Sequence, residues 1–168
     1  MDEIIEFEAK TTEKDLYAYN IFSTYTSFQG IFSIIVFIFL IVLWVMKFSV
    51  LPLSYKILYP LVGIIFLAYL PIELRHKVKN RFKRGEFSRA LQFKLTENAI
   101  NVSVEGVEGS VELLWEQVYK VSAFHNCLLI YTNRRNAYII PKSDIADKYD
   151  QVIACIRKHV KDFKINIK

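Results

Sequence analysis

The sequence predicts an α+β membrane protein: a two-helix transmembrane hairpin, then a small antiparallel β domain closed by one C-terminal helix. Three observations predict it. Leu16–Met46 runs 31 residues without a charge, and Ile57–Ile72 adds a second uncharged run. Beyond Leu91 the hydrophobic period drops to two, the period of a half-buried strand. Near the C-terminus it returns to the spacing of an amphipathic helix.

The elements follow in order. Glu3–Thr11 alternates, with Ile5, Phe7 and Ala9 on one face. Such a segment is too short to fold alone and is expected to pair with the later sheet. Glu13–Tyr25 is expected to enter the membrane as a helix carrying Tyr17, Tyr19, Phe22 and Tyr25. Spanning a hydrocarbon core takes roughly 20 apolar residues, and Phe28–Met46 meets that. Tyr25 and Trp44 stand where interfacial aromatic belts lie. The second run holds Pro60, Gly63 and Pro71, which membrane helices tolerate. It spans if the helix starts near Leu53 and Lys56 snorkels outward. The acidic, strand-like start argues against a signal peptide, whose apolar core follows a basic start at once. Uncharged runs of this length argue against a buried hairpin of a soluble protein.

A basic burst follows the second run: Arg75, Lys77, Lys79, Arg81, Lys83, Arg84 and Arg89. The loop between the two runs carries only Lys47 and Lys56. The positive-inside rule then places the burst, and everything after it, in the cytoplasm. Two crossings return the N-terminus to the same side. The expected protein is a two-pass, multi-pass-type protein of the cell (inner) membrane with both termini cytoplasmic. Its divisions are 1–27, an N-terminal strand and juxtamembrane helix; 28–74, the transmembrane hairpin; 75–90, a basic stem; and 91–168, the β domain.

In that domain Leu91, Phe93 and Leu95 alternate, Glu97-Asn98 offers a turn, and Ile100, Val102 and Val104 alternate again. Residues 105–109, with Gly106 and Gly109, read as a loop. Strands are expected at Ser110–Leu114, Val118–Phe124, Cys127–Thr132 and Ala137–Pro141, the last two joined by the tip Asn133-Arg134-Arg135-Asn136. Trp115 is expected in the core beside Tyr119 and Val121. Ile145, Tyr149, Val152, Ile153, Ile156 and Val160 form the stripe of the closing helix, with Ser143 or Asp144 as its cap. Six or seven antiparallel strands and one closing helix describe a pleckstrin-homology-like (PH-like) barrel or sandwich.

The succession FKLTENAINVSV, ELLWEQVYKV and AYIIPKSDI resembles the bacterial YcxB-like family. That resemblance implies the same order of parts: a short N-terminal segment, two membrane helices and a PH-like C-terminal domain. Its motifs are packing motifs, and it implies no functional residue. A composition rich in Ile, Phe, Tyr, Lys and Asn also suits a bacterial source.

The chemistry in the sequence is sparse. His76, His125 and His159 stand at no metal-ligand spacing with each other or with a cysteine. There is no G-x-S-x-G, no H-E-x-x-H and no phosphate-cradling glycine loop among the five glycines. Cys127 and Cys155 read as free thiols in a reducing cytosol. His125 and Cys127 resemble a base and its nucleophile in spacing alone. Glu105 and Glu108 are solvated loop charges. The expectation is a protein that is not an enzyme and needs no cofactor or metal.

The formal charge of +5 comes mainly from the basic stem and a lysine-bearing tail. Arg75, Lys77, Lys79, Arg81, Lys83 and Arg84 are candidate contacts to anionic headgroups of the lipid bilayer. Nucleic acid is not an expected partner, since only Phe82 and Phe87 could stack bases there. Arg134 and Arg135 are candidate contacts to a protein partner. The expected function is a membrane-tethered binding module, offering a PH-like domain to a protein or lipid at the inner face. The alternative is a small membrane inhibitor or immunity-type protein that acts through its hairpin, with Gly30, Pro60 and Gly63 shaping the contact.

Overall fold

Alternating sequence folds as paired strands. The computed structural model describes residues 4–167, with the backbone alone at Gln29, Phe66 and Leu67. Glu3, the first residue of the expected N-terminal strand, lies outside the described residues. Strands β1 (Ile5–Ala9), β2 (Leu91–Leu95), β3 (Ala99–Val104) and β4 (Ser110–Leu114) form one antiparallel sheet in that order. The register sets Phe7 opposite Phe93, Phe93 opposite Val102, and Ile100 opposite Leu113. One face of each strand is therefore apolar and the other polar. Gly106 and Gly109 take positive φ in the β3–β4 loop, where a side chain would be strained.

The second sheet has the order β7 (Ala137–Pro141), β6 (Cys127–Tyr131), β5 (Lys120–Phe124), β8 (Ile165–Asn166). A 3₁₀ turn at Trp115–Gln117 carries the chain from one sheet to the other. His125, at φ 48°, makes the tight β5–β6 turn, a position that favours a left-handed residue. The closing helix, Tyr149–His159, buries Val152 and Ile156 completely. The two sheets and this helix enclose one core that contains Phe93, Leu95, Ile100, Val121, Leu128, Ile130 and Ile140. Phe93 stacks on Phe7 (5.1 Å between centroids) and meets Tyr138 of the other sheet edge-on at 5.7 Å.

Four expectations are corrected. First, of the barrel or sandwich expected, the barrel does not form: among the described residues no ladder joins the two four-stranded sheets, while the α+β class with two sheets and helices stands as expected. Second, neither Ser143 nor Asp144 caps the last helix, whose N-cap is Lys148 without a side-chain bond. The Asp144 carboxylate instead accepts the Lys10 backbone N–H at 2.8 Å and the Ser143 hydroxyl at 2.9 Å. A 3₁₀ turn at Ala146–Lys148 fills the gap before the helix starts. Third, the end of the chain is a strand and not only a charged tail: β8 runs parallel to β5, with Val121 beside Ile165. Fourth, Tyr119 is 46% exposed and does not share the core with Trp115. Trp115 itself is buried, and its indole N–H donates to the Thr96 carbonyl at 2.9 Å.

Two exposed ion pairs cross this domain, Glu6–Lys94 at 2.8 Å and Glu97–Lys158 at 3.0 Å. Hydrogen bonding and then charge attraction from each lysine hold both carboxyls below the usual range. A carboxyl lowered by folding contributes stability above its unfolded value, and that contribution is lost as pH falls through the folded value. Thermal stability is therefore expected to drop modestly below about pH 4.5, and a Lys94→Ala/Lys158→Ala variant should show a shallower drop in the same melting series.

Three helices stand between β1 and β2 in the chain: α1 (Glu13–Tyr25), α2 (Phe28–Lys47) and α3 (Leu53–Lys83). Residues Tyr17–Asn80 form a compact unit separate from the one made by the residues up to Leu16 and from Arg81 onward. Ser27 caps α2 by accepting the Gly30 N–H at 3.1 Å. A Cβ on Gly30 would strike the Thr24 carbonyl oxygen, so the α1–α2 turn closes only on glycine. At Gly63 a Cβ would come within 2.9 Å of the Phe37 ring, which marks a close approach of α2 and α3. Many apolar side chains of α2 and of the first part of α3 are exposed, such as Phe39 at 59% and Ile64 at 64%. Both α2 and α3 are long and apolar enough to cross a membrane.

Candidate functional site

The basic residues of the stem are organised by a helix. Helix α3 continues through Lys83, so 31 residues extend for about 46 Å. At 100° per residue, Arg75, Lys79 and Lys83 fall on one side, while Lys77 and Arg81 lie on another, and Arg84 follows in the turn after the helix. Between the two stripes Val78 is buried and Phe82 half-buried. All six cations are exposed. Lys77 pairs with Glu73 at 2.6 Å, and Arg81 with Glu86 at 3.4 Å. Gly85 ends the helix at φ 76°, its N–H donating to the Phe82 carbonyl at 3.0 Å. Cations at this end also suit the helix dipole.

Arg134 and Arg135 stand exposed on the β6–β7 tip. Asn133 makes that tip rigid, since its side-chain oxygen accepts the backbone N–H groups of Arg135 and Asn136, each at 2.8 Å. This is an Asx-type turn. It fixes the backbone of the tip that carries both arginines.

Other polar clusters are occupied with each other. Cys127 is buried, while His125 is exposed in the adjoining turn. Burial above all, then the charge and hydrogen bonding of Asp15 and the charge of Asp144, push the Cys127 thiol up to about 12. A protonated thiol is a poor nucleophile at neutral pH. Cys127 is expected to resist iodoacetamide in the folded protein and to react fully in denaturant, as mass spectrometry of the alkylated chain would read. The raised value also means that its contribution to stability is intact below about pH 9 and is lost as pH climbs toward 12.

His159 stacks on Trp115 (4.9 Å, 12° between planes), and its Nδ1 lies 2.9 Å from the Cys155 carbonyl oxygen. The outer face of the first sheet is a shallow polar surface on which Gln92 donates to Glu8 and Lys94 pairs with Glu6. Among the described residues no group of three or more His, Cys, Asp or Glu side chains is placed to hold a metal ion.

Reading along the sequence missed Phe163, which is 82% exposed in a 3₁₀ turn after the last helix. The signal is an aromatic within Lys161-Asp162-Phe163-Lys164, set among the lysines of the tail.

A family model described as YcxB-like protein matches residues 95–156, from the end of β2 into the last helix. No curated protein and no solved structure matches the chain. Over residues 95–156, the span that holds most of both sheets, the chain is similar to the YcxB-like family.

Proposed function

We propose that this protein is a non-enzymatic binding module, tethered to the cell membrane by α2 and α3, whose two-sheet domain offers a PH-like surface to a partner at the inner face. The observation that carries the reading is the exposure of the hairpin. Side chains such as Phe32, Ile38, Phe39, Ile57 and Ile64 are about half exposed or more, and water does not tolerate an apolar surface that continuous. A bilayer satisfies it, because both helices keep their backbone hydrogen bonds internal. The strand order and closing helix support the PH-like reading, with the two sheets left open to each other. The protonated, buried Cys127 supports a binding role over nucleophilic chemistry.

Orientation rests on charge. Seven Lys and Arg residues follow the second apolar run and two, Lys47 and Lys56, lie between the two runs, which favours a cytoplasmic domain. Protease added to right-side-out vesicles should leave residues 91–168 intact and should remove them from inverted vesicles; the reverse pattern would overturn the topology. Replacing α2 and α3 with an unrelated hairpin then separates a tether from an active element. Function retained supports the module, and function lost supports an inhibitor acting through the hairpin.

A further inference from the structure

The strand register gathers one end of the second sheet from three distant parts of the chain. Lys120 at the start of β5 pairs with Tyr131 at the end of β6, and Tyr131 pairs with Ala137 at the start of β7. The start of β5 and the Arg134-Arg135 tip therefore share one end of the sheet. Strand β8 runs parallel to β5, so its start, with Lys161 and Phe163 just before it, arrives at that same end. The Lys164 ammonium fixes the junction by donating to the carbonyls of Val118 at 2.6 Å and Glu116 at 3.2 Å. The result is an end that carries Tyr119, Lys120, Arg134, Arg135, Lys161 and Phe163. The carboxylates of its segments are Glu116 and Asp162 alone.

We propose that this end of the second sheet docks onto a layer of anionic lipid headgroups, with Phe163 entering the interface and Arg134, Arg135, Lys120 and Lys161 meeting the phosphates. The proposal rests on the reading of the protein as membrane-tethered and deepens it. Charge favours an anionic partner. Shape favours a lipid layer over a folded protein: a stable protein interface needs roughly 800 Å² per side with an apolar, well-packed centre. This end has one ring 82% exposed and another 46% exposed, ringed by cations and without an aliphatic centre. Aromatic rings beside Lys and Arg are the side chains that settle at a headgroup boundary.

The test places the fluorescent amino acid dansylalanine at position 163 of the full-length protein. The protein is reconstituted into vesicles of phosphatidylcholine alone or mixed with phosphatidylglycerol, and flotation is checked first. Failure to float with either vesicle would overturn the tether and this proposal with it. With flotation established, a blue-shifted, severalfold brighter emission is expected only with phosphatidylglycerol. It should fade as salt screens the charges and vanish in an Arg134→Glu/Arg135→Glu variant. Equal emission in the two vesicles, or a shift that survives charge reversal, would overturn the proposal and leave the tether standing. A shift produced in neutral vesicles by added polyglutamate would assign the surface to an acidic protein segment instead.

Discussion

Phe93→Ala is expected to cost the β domain about 3–5 kcal/mol, the range for truncating a buried aromatic side chain. The size follows from its position. Phe93 is 1% exposed, lies opposite Phe7 of β1 and Val102 of β3, and touches Tyr138 across the core. One ring thus fastens the N-terminal strand to its sheet and that sheet to the other. A void there has no easy filler, because Leu95, Ile100 and Ile130 around the same core are already fully buried. Domains of this size have a net stability of about 5–15 kcal/mol, so the loss is a large fraction of the whole. Calorimetry of the full-length protein in detergent should show the domain transition falling by at least about 12 °C. Cys127 should become alkylated at temperatures where the unsubstituted protein still protects it. Phe93→Leu keeps most of the volume and should lose far less. Equal losses from the two variants would mean that the ring packing contributes nothing beyond apolar bulk.

The same residue shows why much of this fold is legible in the chain. Leu91, Phe93 and Leu95 alternate because one face of β2 is buried, and Ile5, Phe7 and Ala9 alternate for the same reason across 84 residues of chain separation (Gln92 to Glu8). The stripe from Ile145 to Val160 is equally plain, since a helix on a core must repeat its apolar side chains near every fourth residue. What escapes is set by partners distant in sequence. Strand β8 is two residues long, too short for any period, and is defined by its pairing with β5, beside which Lys164 reaches two carbonyls 46 and 48 residues earlier. Asp144 looks like a cap from its neighbours, but the backbone of Lys10 claims it. The open edges between the sheets follow from ladder pairing that alternation does not encode. The candidate sites divide in the same way. The six stem cations and the Arg134-Arg135 tip stand out as local runs of charge. The placing of the helical cations in two stripes around Val78, and of that tip and Phe163 at one end of the second sheet, requires the helix phase and the strand register.

An Ile38→Asp/Ile41→Asp variant is expected to remove the protein from the membrane fraction. Both residues lie near the middle of α2, 54% and 43% exposed, where the tether reading puts hydrocarbon against them. A carboxylate at a helix centre costs about 2.5–3.5 kcal/mol on the insertion scale, so two cost roughly 5–7 kcal/mol. Neither has a rescue at hand. Lys47 is more than one helical turn away from Ile41, and a short Asp side chain cannot snorkel as Lys does. Alkaline extraction followed by immunoblotting reads the outcome, and Ile38→Ala/Ile41→Ala should stay in the pellet as the unsubstituted chain does. The hairpin variant should also leave the β domain's own transition unchanged, because Ile38 and Ile41 lie in the unit Tyr17–Asn80 and the core that melts does not include them. A variant that still pellets when Ile64 and Ile65 of α3, 64% and 60% exposed, are also changed to Asp would show that the hairpin is covered by protein and not by lipid. The exposed face of the hairpin would then become the binding surface, and the β domain the part that holds it in place.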